Sequence, residues 1–173
     1  MKKILFFSVA LICAVARSQE RPANARPVAV AQNGCTNAAD VNAIRRIPVL
    51  WKNNYNNGNA AGVASLYTEN ADYLTQHFIS GIVHGRAAIQ AYVQLGVDAR
   101  YHIDSIQILS MGCSGNIAYT VGRYEATNGR QKAMGVNLVV LRKIKTRWLI
   151  VAHEAAVPDP STAVRHLDIN QSQ

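Results

Sequence analysis

The hydrophobic period changes once along this chain, and that change limits the folds open to it. Apolar residues first recur three and four apart: Val41, Ile44, Ile47, Trp51 and Tyr55, then Val63, Leu66 and Tyr67, then Ile89, Tyr92, Val93 and Gly96. Each series predicts one face of a helix. Pro48 must kink the first helix or start a new turn, and Asn59 is placed to cap the second. A single strand around 71–77 interrupts the helices. After Val97 the period becomes two, and the segments "MGCSGN" (111–116), "TNGRQK" (127–132) and "KTR" (145–147) read as hairpin turns. They bound strands near 101–110, 116–127, 133–144 and 147–156. Three helices at the front and antiparallel strands at the back define an α+β domain, with the helices packed on one face of the sheet.

What lies outside this domain bears on compartment and partners. Residues 1–16 combine Lys2 and Lys3, an apolar run and the small-x-small site Ala14-Val15-Ala16, the pattern of a signal peptide. Residues 17–36 mix Pro, Ala, Asn and Gly without a period and read as an extended linker. The domain then covers 37–157, and 158–173 form a flexible tail. No later stretch approaches the ~20 apolar residues of a membrane helix, so the expectation is a secreted or periplasmic protein with no membrane contact after cleavage. Of the 173 residues, Lys and Arg outnumber Asp and Glu enough for a formal charge of +8, yet only "RKIKTR" (142–147) clusters it. Without interleaved aromatics that run gives no case for nucleic acid. Cys35 and Cys113 remain once Cys13 leaves with the leader, and an oxidising compartment permits one bridge between them. The alternative is two unrelated small residues.

The segments "WKNNYNNGNAAGVASLYTENADYL", "GIVHGRAAIQAYV", "GNIAYTVGRYEATNG" and "VVLRKIKTRWLIVAHE", in this order and spacing, resemble the SnoaL-like, nuclear transport factor two-like superfamily. The resemblance covers about 37–157. It implies a cone-shaped fold, a strongly curved antiparallel sheet around the helices, with a pocket at the open end and a homodimer paired through the outer sheet face. It implies no single activity, because relatives range from isomerases and cyclases to non-catalytic carriers. Aligned to the ketosteroid isomerases of that superfamily, the chain has Thr75 where the proton-abstracting carboxylate belongs and Trp51 where a tyrosine would hold the enolate oxygen. A threonine hydroxyl is no base near neutral pH.

Several residues remain as candidates. His77 shares a strand face with Thr75 and would replace the missing base, or it is a water-exposed loop histidine. Asp72 stands near a position often acidic in SnoaL-like proteins, or it caps a turn or pairs with a nearby Arg. Asn137 interrupts the apolar strand "MGVNLVVL" and must be hydrogen-bonded if buried, with Gly135 and Val139 leaving room beside it. The strand "WLIVAHEA" (148–155) ends in His153 and Glu154, and strict alternation places Trp148, Ile150, Ala152 and Glu154 on one face and His153 on the other. One of the pair faces the pocket and the other the outer sheet, and His153 is the preferred inward residue, a general acid or base.

Trp51, Tyr55, Tyr73, Thr75, Tyr92 and Asn137 complete the pocket, with Glu154 as the alternative to His153. His77, His84, His102, His153 and His166 make no ligand-spaced cluster, so neither metal nor cofactor is implied. Two functions fit these residues. One is an exported protein that binds a small apolar molecule, with isomerase-, cyclase- or dehydratase-type acid/base catalysis open to it. The other is a non-catalytic homodimerising module with a vestigial pocket.

Overall fold

The computed structural model describes residues 31–77 and 80–157, so the expected signal peptide, most of the expected linker and the C-terminal tail lie outside the described residues. Helix α1 (Ala38–Asn56) starts where the Asn37 side chain accepts hydrogen bonds from the Ala39 and Asp40 amides. It buries Val41, Ile44, Ile47, Trp51 and Tyr55, the series that the spacing marks, and runs through Pro48 without ending. Asn59 caps α2 (Ala60–Ala64) by accepting from the Gly62 amide. This helix stops short of the apolar series, and Tyr67 instead opens strand β2 (Tyr67–Thr75). Strand β3 (Ile82–His84) pairs back on β2. Helix α3 (Arg86–Asp98) follows from Gly85, whose φ of 88° lies in the region only glycine enters freely.

Strands β4 (His102–Ser114), β5 (Ile117–Asn128), β6 (Gln131–Ile144) and β7 (Arg147–Ala156) form an antiparallel meander. The sheet as a whole is mixed rather than antiparallel. After four alternating strands the chain reaches the edge of β2 running in the direction of β2, so the β2–β7 pair is parallel. Strand β1 (Ala31–Asn33) is also parallel to its neighbour, β4, at the far edge. Those three residues fall inside the expected linker. They are strand because the free edge of β4 offers unpaired backbone groups, and because a disulfide between Cys35 and Cys113 tethers the segment there. The seven strands order as β1-β4-β5-β6-β7-β2-β3.

Register shifts decide which side chains the sheet turns inward. Pairing slips by one residue around Asp104 and Leu109 in β4 and around Val151 in β7. Each extra residue bends its strand and moves the following side chains to the opposite face. In β7 the inward residues are therefore Trp148 and Ile150 before the bulge, and His153 after it, all buried. The alternation expected from sequence, with Trp148 sharing a face with Glu154, fails at Val151.

The three helices lie against the inner face of this curved sheet. Ile44, Val63, Tyr67, Ile89, Met111, Leu141 and Ile150 have almost no exposed surface and form the centre of the core. A polar clamp secures the start of α1. The Asp40 carboxylate accepts from Trp148 Nε1 at 2.9 Å and from Lys143 Nζ at 2.7 Å. The Lys143 and Trp148 hydrogen bonds hold that carboxyl below the usual carboxylate range. The clamp fixes α1 over β6 and β7, and with it the helix face that carries Trp51 and Tyr55.

Candidate functional site

Between α1, α3 and the inner sheet face the packing leaves a cavity of about 480 Å³, within the roughly 300–1,000 Å³ of small-molecule sites. The sheet register orders its wall in rows. Tyr73, His153, Val139 and Thr120 are cross-strand neighbours in one row, and Thr75, Ala155, Asn137 and Gly122 form the next. Exposure rises from Ile150 through His153 to Ala155 and Val157, so the second row lies nearer the mouth. Exposed Leu95 and Tyr101 flank that mouth.

The inner end holds the polar groups that matter most. Trp51 Nε1 donates to Tyr67 Oη at 2.9 Å, and Tyr67 Oη lies 2.7 Å from His153 Nδ1. Trp51 stacks on Tyr55 with ring centroids 5.1 Å apart, and Tyr73 meets the His153 ring at 4.6 Å and a steep angle. His153 is 6% exposed, and its Nε2 is buried with no hydrogen-bond partner among the described residues. Burial pushes the imidazole pKa down to about 4 from its ordinary 6.5, so the ring is neutral through the physiological range. Burial likewise pushes the Tyr55 phenol up to about 12 and those of Tyr67 and Tyr73 well above their ordinary value. Among the described residues, no Asp, Glu, Lys or Arg lines the cavity.

Nearer the mouth, Thr75 Oγ1 and Tyr92 Oη lie 3.2 Å apart. The Asn137 side chain is half-buried, and Gly122 opposite makes space for it, since a Cβ there would stand 2.5 Å from Asn137 Oδ1. The room expected at Gly135 is instead filled by the Tyr124 ring. Trp51, Tyr55, Tyr73, Thr75, Tyr92, Asn137 and His153 therefore all line one cavity.

Of the remaining candidates, Asp72 does not take the catalytic place, whereas Glu154 and His77 take the outer-face and exposed-loop alternatives that the sequence left open. Asp72 pairs with His84 at 2.7 Å across β2 and β3, on the sheet face away from the cavity, so it is no catalytic candidate. Its odd-even position opposite to Tyr73 and Thr75 dictates this. Glu154 is exposed on the outer face, turned there by the Val151 bulge. His77 lies beyond the end of β2 in a turn, where it is exposed at the cavity mouth and shares no strand face with Thr75. Conversely, the hub of the polar chain, Tyr67, is absent from the expected site. The strand period could not have found it, because counting back by twos from Thr75 passes through exposed Glu69 and the register is irregular between Tyr67 and Asp72.

No family model matches the chain, and no curated protein matches it. Solved structures do. An NTF2-like protein with a cystatin-like fold from Novosphingobium aromaticivorans is 20% identical with a TM-score of 0.59, over 73% of this chain and 86% of that one. A protein of unknown function from Mycobacterium tuberculosis is 18% identical with a TM-score of 0.60, over 75% and 86%. A ketosteroid isomerase-like protein from Erwinia carotovora is 16% identical with a TM-score of 0.55, over 70% and 98%. At these identities the likeness shows the fold, and the fold is NTF2-like.

Proposed function

We propose that this chain of NTF2-like fold is an exported protein that binds a small, neutral, apolar molecule in the cavity beneath α1 and α3. The observation that carries this reading is a cavity walled mostly by aromatic and aliphatic side chains, lined among the described residues by no Asp, Glu, Lys or Arg, with one buried neutral histidine at its inner end. An ion would lose its hydration there without a countercharge to replace it. An apolar molecule gains by leaving water. Binding also fits better than acid/base turnover. A general base works best with a pKa near the operating pH, whereas His153 titrates near 4. Trp51 is no enolate donor either, because its N–H already serves Tyr67. Export is supported by the leader-like 1–16 and by the Cys35–Cys113 disulfide.

The test is a fluorescence titration of the intact chain with the neutral probe N-phenylnaphthylamine. The reading expects saturable one-to-one binding with enhanced emission, reversed by an apolar competitor. A flat titration at protein concentrations well above micromolar would contradict it.

A second copy of the chain is the proposed partner. Leu74, Leu138 and Val121 lie in one cross-strand row on the outer face, with Tyr119 and Val136 in the adjoining rows, all exposed. Such a cluster of exposed apolar side chains is characteristic of an association face. It also carries charge of both signs, with Glu154 between Leu74 and Leu138, Asp72 in the Tyr119 row and Arg123 opposite Val136. A two-fold axis passing between Glu154 and Arg123 would bring each against its opposite on the second copy.

A further inference from the structure

Hydrogen-bond counting around Tyr67 determines where the proton of His153 resides. Tyr67 Oη accepts the Trp51 N–H, and among the described residues its only other partner is His153 Nδ1. If the phenol donates to Nδ1, every polar group of the Trp51, Tyr67 and His153 side chains is paired except a proton on Nε2. If instead Nδ1 carries the proton, the oxygen accepts twice, and its own buried O–H joins Nε2 as a second group without a partner. Each unmet buried polar group is unfavourable, so the arrangement with one prevails over the arrangement with two. That leaves a buried donor without a partner at the inner end of a mostly apolar cavity, whose other polar groups are Thr75, Thr120, Asn137, His77 and the tyrosine hydroxyls. Asn137 makes no comparable demand, because it is half-exposed and water can serve it.

We infer that His153 is held as the Nε2–H tautomer and that the bound molecule presents a hydrogen-bond-accepting oxygen, of ketone, ester or ether type, on an otherwise apolar frame. This rests on the binding reading above and adds the polarity of the ligand's leading end. Tyr67, which does not line the cavity, is then a positioning residue that fixes the tautomer, and the Trp51 N–H holds the Tyr67 oxygen in that role. Nε2 has almost no exposed surface with the rings as they stand. Reaching it requires a shift of the rings packed on the imidazole, which include Tyr73 at 4.6 Å and Trp51 at 6.2 Å between centroids.

Two measurements on the intact chain test this separately from binding itself. Long-range nitrogen–proton correlation on isotope-labelled protein reads the tautomer without any ligand. The expected pattern has the proton on Nε2, and a proton on Nδ1 would overturn the proposal outright. Titration with naphthalene and with acetylnaphthalene then reads the ligand preference. The ketone is expected to bind about tenfold tighter than the hydrocarbon corrected for its added methyl group, the worth of satisfying one buried donor. His153→Phe should abolish that preference while keeping naphthalene bound. Tyr67→Phe, which frees the tautomer, should reduce the preference and supplies the same reading should His153→Phe fold poorly. Equal affinities in the wild type would overturn the proposal and leave the binding reading intact. Failure of both probes to bind would remove the binding reading, and the proposal with it.

Discussion

Tyr67 joins a helix to the last strand through one oxygen. It is fully buried and satisfies both the Trp51 indole and the His153 ring. Tyr67→Phe keeps the shape but leaves those two groups unpaired, so a loss of about 1–3 kcal/mol is expected in urea unfolding. His153 adds a pH dependence whose sign follows from burial. Its pKa falls to about 4 in the folded chain from 6.5, so between those values the unfolded chain binds the proton and the folded chain does not. Stability is therefore complete above pH 6.5 and is lost as pH falls toward 4, by on the order of 3 kcal/mol. His153→Phe should flatten that part of the stability curve measured in the same unfolding experiment. Most of the site was legible at this scale. Trp51 and Tyr55 follow from a helical period, Tyr73 and Thr75 from a strand period, and Asn137 from being polar in an apolar run. Tyr67 was not legible, because its spacing from Val63 continues the helical series past the point where the backbone becomes strand.

At the scale of elements, what escapes the sequence is the bulge. Val151 is an ordinary strand residue with no glycine or proline beside it, yet one extra residue there turns His153 inward and Glu154 outward. Bulges at Asp104 and Leu109 act similarly, keeping Ile103, Ile106, Ile108 and Met111 on the inner side at uneven spacing. The helices and hairpins were legible because their signals are local: a cap, a turn, an apolar period. Bulges answer instead to curvature, which depends on every strand at once. The parallel β2–β7 contact is likewise a matter of the chain's path, not of any residue in it. The Cys35–Cys113 bridge ties β1 to β4 across 78 residues. Closing so long a loop constrains the unfolded chain, so the double variant Cys35→Ala, Cys113→Ala should lose roughly 4 kcal/mol of stability. Chemical unfolding with and without reductant should show the same gap in the wild type and none in the variant.

The whole molecule presents two apolar surfaces, one lining the cavity and one across the outside of the sheet. The outer one predicts association. Leu138→Lys should convert a dimer to monomer in light scattering while the far-ultraviolet spectrum stays unchanged, because Leu138 points away from the core. A wild-type chain that is monomeric at high concentration would remove that reading and leave the cavity untouched. The inner surface carries the central claim, that this fold holds an apolar molecule against His153. Ala155 lies between Thr75 and Asn137 in the wall row next to His153, so Ala155→Phe places a ring in the ligand's space. Calorimetric titration of acetylnaphthalene into both proteins is the most direct measurement. The account expects saturable one-to-one binding in the wild type and its loss in a folded Ala155→Phe. Equal binding by both, or by neither, would contradict it.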